Sequence, residues 1–258
     1  MTLTDTQRVA QAADLLFAAW GHPDRPVAAL PDELRPANEA QAYAIQQALS
    51  PRLGAIGGWK VGAAGPDAPC TCAPMPVDGF HRAPARLPAT TWRGRGVEAE
   101  VAVRLGHSLT PRAAPYTRAE VLAAIDTCHP AIEVVQSRFA DPAHQDRLSM
   151  LADFSAHGCF VYGPEAPGWR EVDLAAEAVR LSFQGRHAAG RTANPGGDMV
   201  RLIQFLADEG AVWAGGLLAG QFITTGSWTG LTFPEIGETV RAEFDHLGAA
   251  ELVFTPPA

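Results

Sequence analysis

A chain of 258 residues with 47% hydrophobic side chains can bury one large core, or a core with a small appendage. Acidic residues outnumber basic ones 28 to 20, for a net charge of −8, so neither nucleic acid nor an anionic membrane is an expected partner. Residues 1–8 lack a charged-then-apolar leader pattern and no apolar run approaches the ~18 residues that span a bilayer, which makes the cytoplasm the expected compartment.

Thr4-x-x-Gln7 can close a capping box, and Val9, Ala13, Leu16 and Trp20 then share one helical face until Gly21. After a Pro-rich connector, Asn38-x-x-Gln41 starts a second helix that carries Ile45 and Leu49 and stops at Pro51. The chain is therefore expected to divide into a helical N-terminal subdomain, 1–55, and a sheet-rich main domain, 56–258.

Gly57-Gly58-Trp59-Lys60-Val61-Gly62 sets one lysine among glycines, where backbone can approach a ligand closely. It is not a P-loop, because Trp59 precedes the lysine and neither Ser nor Thr follows it. Residues 63–95, rich in Pro, Gly and Ala, read as a long loop or lid. Cys70-Thr71-Cys72 lacks the spacing of a zinc knuckle and, with His81, has no fourth ligand at a suitable distance. The four cysteines are expected as reduced thiols, with Cys128 and Cys159 packing as small hydrophobes.

Strict alternation over Gly96–Leu105 predicts a strand with Glu98 and Glu100 on one face and Ala99, Val101, Val103 and Leu105 on the other. Two carboxylates so close repel unless a cation lies between them, and a hard divalent ion is the natural one. The plainer alternative is a solvated sheet face. Gly94-x-Gly96-x-x-Ala99 is not a dinucleotide fingerprint, since it leads into a strand and would put Glu98 against a pyrophosphate. Thr117-x-x-Glu120 predicts a helix to about Cys128, followed by a strand over 131–135. Glu133 interrupts that apolar run, so it is expected to point inward and to require a positive partner.

Residues 151–158 read as a turn before a strand at 159–162, and Asn194-Pro195 as the start of a helix running to Gly210. Short strands are expected at 221–225, 239–244 and 251–254. Gly226-Ser227-Trp228-Thr229-Gly230 misses the nucleophile-elbow pattern by one place.

Gly58-Trp59-Lys60-Val61-Gly62, Val97-Glu98-Ala99-Glu100-Val101-Ala102, Pro130–Val135 with Ser137-Arg138, Ala152-Asp153, and Thr224–Gly230 occur here in the order seen in the fumarylacetoacetate hydrolase superfamily. Short individually, five in sequence are specific, and the chain most resembles the 2-keto-4-pentenoate hydratase and 4-oxalocrotonate decarboxylase branch over nearly its full length. The resemblance implies an α+β fold, a mixed curved β-roll with peripheral helices, usually assembled into homo-oligomers and sometimes paired with a related hydratase or decarboxylase. It implies one Mg²⁺ or Mn²⁺ held by Glu98, Glu100 and Glu133. It further implies Lys60 and Asp153 as catalytic residues, with His157 a candidate beside them, and Asp78, Arg138, Ser155 and Ser227 as substrate-binding candidates.

Departures fall near the chemistry. Family hydratases commonly carry Gly-Leu-Thr-Ser after the lysine, where this chain has Gly62-Ala63-Ala64-Gly65. Their polar Asp-Asn-x-Ser-x-Gly becomes Asp153-Phe154-Ser155-Ala156-His157-Gly158, and their Pro-Asp-x-Gly becomes Pro76-Val77-Asp78-Gly79. The activity the resemblance implies is addition of water to a 2-hydroxy-dienoate or 2-oxo acid from aromatic breakdown. Its rivals are decarboxylation of a 2-oxo-dioate, C–C hydrolysis by a His–Glu dyad, and a catalytically silent partner subunit.

Overall fold

The computed structural model describes residues 3–257, so Met1 and Thr2 of the 1–8 segment lie outside the described residues. In chain order the elements are α1 (Asp5–Ala19), α2 (Glu39–Leu49), β1 (Ile56–Ala63), β2 (Cys70–Pro76), β3 (Phe80–Arg82), β4 (Ala85–Pro88), β5 (Gly96–Leu105), α3 (Arg118–Ala124) and β6 (Ile125–Val135). They continue with α4 (Arg147–Ala152), β7 (His157–Tyr162), β8 (Ala178–Phe183), β9 (Arg186–Thr192), α5 (Met199–Phe205), β10 (Phe222–Thr224), β11 (Thr239–Phe244) and β12 (Gly248–Thr255). Two mixed sheets result, ordered β2-β1-β10-β5-β6-β7-β3 and β4-β12-β11-β8-β9. The main core includes Val97, Ala99, Val101, Val103 and Leu105, which is the apolar face predicted for β5.

Both N-terminal helices start where their caps predict. Thr4 and Gln7 form the capping box, and the Asn38 side chain accepts from the Gln41 amide. The two helices bury a second apolar cluster that also takes in Leu30, Phe139, Leu151 and Phe154. Trp20 meets Phe154 edge-on at 5.4 Å between centroids, so the helical layer braces the chain just before β7.

Three expectations are corrected. Residues 63–95 are not one loop but contain β2, β3 and β4. Pro74 and Pro76 obscured β2, yet it is a sheet-edge strand, where a missing N–H is tolerated. The helix predicted through Cys128 ends at Ala124, because Ile125 to His129 pair with Leu105 to Ala102 of β5 and the long-range ladder overrides the local pattern. The helix expected from Asn194 begins at Met199, capped by Asp198. Asn194 instead donates to the Thr225 carbonyl and accepts from the Gly196 amide. The strands β8 and β9 had no counterpart in the sequence reading, and β9 is largely exposed.

Candidate metal centre

The site lies on one face of the larger sheet. Glu98 and Glu133 are register partners across β5 and β6, and Glu100 follows Glu98 on the same face. Each of the three carboxylates offers an oxygen within 4.8 Å of the others. Glu133 is fully buried, Glu100 is 1% exposed and Glu98 is partly exposed, so the solvated-face alternative does not describe this pair. Among the described residues, Cys70, Cys72 and His81 form no such cluster. Burial pushes the Cys72 thiol up to about 12, which keeps it a thiol.

Lys60 enters from β1, where it is paired in register with Thr224 of β10. Close strand approach explains its glycine neighbour: a Cβ on Gly58 would stand 2.3 Å from the Phe222 carbonyl oxygen. Lys60 Nζ donates to Glu133 Oε1 at 2.6 Å and to the Ser155 carbonyl at 3.1 Å. Glu133 Oε1 also receives His157 Nδ1 at 2.8 Å. Thr224 donates its hydroxyl to Glu100 Oε2. The sequence reading named Thr224 within a motif but gave it no role; the β1–β10 register is what brings it here.

The charges are unbalanced in a telling way. Burial, then Glu133, raises the Glu98 carboxyl, and burial with Glu133 and Glu98 raises Glu100 well above the usual carboxylate range. Glu133 falls to about 2, since Lys60 and His157 outweigh its burial. Burial works against the Lys60 ammonium, but the three carboxylates prevail and hold its pKa above the ordinary lysine value. Two of the three acids thus hold a proton more readily than a free carboxyl does. Glu133 Oε2 is buried with no hydrogen-bond partner, a vacant acceptor within the acidic cluster. The all-oxygen donor set and this free lone pair fit a hard divalent cation.

A cavity of about 110 Å³ opens on the triad, lined also by Lys60, Thr71, Cys72, Ser155, Gly226 and Ser227. Gly226 turns at φ +88°, which brings its loop against Gly62, and the Ser227 hydroxyl accepts from the Gly230 amide. Ser227 partly opposes the rise of the Glu98 pKa.

Of the ten residues singled out, Glu98, Glu100, Glu133, Lys60, Ser155 and Ser227 line this cavity and four do not. Asp78 is exposed on the turn after β2. Asp153 and Arg138 are buried against each other: Arg138 Nε donates to Asp153 Oδ1, while Ser137 Oγ and the Arg138 amide donate to Oδ2 at 2.8 and 3.0 Å. Arg138 also donates to the carbonyls of Asp153 and His157, each at 2.6 Å. Between these anchors Phe154, Ser155 and Ala156 all hold positive φ, 53°, 48° and 59°. Each such non-glycine residue costs ~1–2 kcal/mol, so the Arg138–Asp153 pair and Lys60 hold a strained turn in place. His157 is fully buried behind Glu133. A larger cavity of about 580 Å³, with Val101, Leu122, Trp169, Met199 and Trp228 in its wall, contains none of the triad.

Fold and site together define a two-sheet α+β protein with a buried acidic cluster that could hold a metal ion. No family model matches the chain. It is 28% identical over 270 residues to 2-keto-4-pentenoate hydratase 2 of Dechloromonas aromatica strain RCB, covering 98% of this chain and all of that protein. A 4-oxalocrotonate decarboxylase of a Pseudomonas species is 30% identical over 156 residues, 59% of this chain and 58% of that one. In structure, the 4-oxalocrotonate decarboxylase of Pseudomonas putida G7, complexed with magnesium and adipate, superposes with a TM-score of 0.84 at 22% identity over 98% and 99% of the two chains. Relatives that match over nearly the whole chain are named 2-keto-4-pentenoate hydratases, shorter matches include 4-oxalocrotonate decarboxylases, and the fold is fumarylacetoacetate-hydrolase-like.

Proposed function

We propose that the protein is a divalent-metal-dependent lyase that adds water to a 2-hydroxy-dienoate, using Mg²⁺ or Mn²⁺. The observation that carries this is the buried Glu98–Glu100–Glu133 cluster, with the unpartnered Glu133 Oε2 and Lys60 at its edge. Glu98, Glu100 and Glu133 would hold the cation, which would supply Lewis acidity to the oxygens of a 2-oxo acid substrate. Three carboxylates against a dication leave −1, and Lys60 offsets it.

The chain's residues supply the rest. Lys60 is the one cation among the described residues lining the cavity. As an ammonium between Glu133 and the Ser155 carbonyl it can hold the substrate carboxylate and give a proton to the carbon skeleton. Asp153 and Arg138 act as positioning residues for the 153–157 turn, and Ser227 and the Ser155 carbonyl face the substrate. Residues 1–55 serve as a brace for that turn through Trp20. The His157–Glu133 pair has the composition of a hydrolytic dyad, but the buried His157 stands behind Glu133 and not in the cavity wall, which favours a positioning role over activation of water.

The second reading is loss of CO₂ from a 2-oxo-dioate with the same metal, favoured by the partial sequence match to a decarboxylase. Incubation with 2-hydroxypenta-2,4-dienoate and with 4-oxalocrotonate, followed by NMR and CO₂ detection, separates them. A 4-hydroxy-2-oxo acid from the monoacid supports the hydratase; CO₂ release from the dioate with no hydration of the monoacid replaces it.

A further inference from the structure

The geometry points to His157 as a positioning residue that fixes Glu133 as a one-oxygen ligand and so frees Lys60 to serve the substrate. The inference rests on the metal reading of the site and goes beyond it, because His157 touches neither cavity nor cation position.

Strand alternation alone would turn His157 toward the core, with Cys159 and Val161. The β6–β7 register slips by one residue between Val134 and Val135, pairing Val135 with His157, and this bulge puts the imidazole on the face of Glu133. Gly158 is what permits the bulge, since a Cβ there would lie 2.5 Å from the Val134 carbonyl oxygen. Arg138 then holds the His157 backbone through its carbonyl. The ring is fully buried and donates from Nδ1 to Glu133 Oε1 at 2.8 Å, while its Nε2 has no hydrogen-bond partner. Among the described residues, Glu133 is thus the sole hydrogen-bond partner of the ring.

Both donors to Glu133 land on the same oxygen from opposite sides, Lys60 from β1 and His157 from β7. Oε2 is left free for a cation. Of the two donors only Lys60 faces the cavity, with 15% of its side chain exposed. Were Lys60 alone in holding Glu133, each movement toward a substrate carboxylate would release the ligand. With His157 fixed behind it, Glu133 keeps its orientation while Lys60 moves. Hydrogen-bond partners of ligating groups commonly set metal affinity by 10–100-fold.

The test is calorimetric titration of Mn²⁺ into the full chain as wild type, His157→Asn and His157→Phe. Asparagine can place a donor near the Nδ1 position, whereas phenylalanine keeps the ring and removes the donor. The expected result is Mn²⁺ binding about 10–100-fold weaker in the phenylalanine variant and within about threefold of wild type in the asparagine variant. At saturating Mn²⁺ the substrate KM should rise in the phenylalanine variant, where Lys60 must hold Glu133 alone, and stay near wild type in the asparagine variant. If the phenylalanine variant does not fold, His157→Leu, close to asparagine in shape, takes its place. A donor-less variant that binds Mn²⁺ like wild type, or equal weakening in both variants, overturns the inference alone. Failure of the wild type to bind Mn²⁺ overturns the metal reading beneath it.

Discussion

Replacing Arg138 by methionine keeps most of the side-chain volume and removes every guanidinium bond to the strained turn, leaving the Lys60 bond to the Ser155 carbonyl. Arg138 and Asp153 are 3% and 0% exposed, and the guanidinium serves one carboxylate oxygen and two backbone carbonyls while lying 4.3 Å from the Trp20 ring centroid. Breaking a buried pair by removing one partner costs about 3–5 kcal/mol, chiefly because the other charge stays buried. For a domain of this size each kcal/mol moves Tm by ~2–4 °C, so the variant should melt roughly 6–20 °C lower. Asp153→Leu should cost a similar amount. The double variant should recover more than half of the loss, since exchanging a whole buried pair for apolar side chains is often near neutral. Circular-dichroism melts with urea titrations measure all three. A Tm drop below about 2 °C for Arg138→Met, or strictly additive losses in the double variant, would refute the view that this pair anchors the turn.

Lys60→Met removes the cavity's cation; kcat should fall at least ~10²-fold, while Mn²⁺ still binds, as tightly as in wild type or more so, because a positive charge beside the triad is gone. Loss of Mn²⁺ binding in that variant would make Lys60 a structural part of the metal site instead. The pH dependence of metal stabilisation follows from Glu98 and Glu100, whose pKa values lie above 4.5 in the metal-free protein. A raised carboxyl stabilises the folded state only while protonated, so its contribution is full below about 4.5 and is lost as pH rises through the raised values. A cation cancels the repulsion that remains. The rise in Tm on exchanging a chelator for Mn²⁺ should therefore be larger at pH 8 than at pH 5, and equal rises would contradict the assigned charge state.

How much of this was legible in the sequence differs by element. The carboxylate face of β5 was readable because strand alternation is a local rule, and Glu133 because a lone acid in an apolar run demands a partner. Lys60 stood out among its glycines, but only the family motif gave it a role, since its pairing with Glu133 spans 73 residues of chain. Asp153 and Arg138 were named only through the family resemblance, and only the fold reveals that the two are buried against each other. Likewise the bulge at Gly158 reverses the facing of His157, and nothing in the local pattern announces a register slip. β2 and the start of β6 were lost to prolines and to a helix-like pattern that non-local pairing overrode.

The central claim is that this acidic triad runs a metal-dependent hydration. Its most direct test is the disappearance of 2-hydroxypenta-2,4-dienoate absorbance with Mg²⁺ or Mn²⁺, in wild type and in Glu133→Ala. The account predicts turnover to a 4-hydroxy-2-oxo acid by the wild type, abolished by a chelator and absent in the variant. Undiminished turnover in Glu133→Ala, or in the chelated wild type, would contradict it.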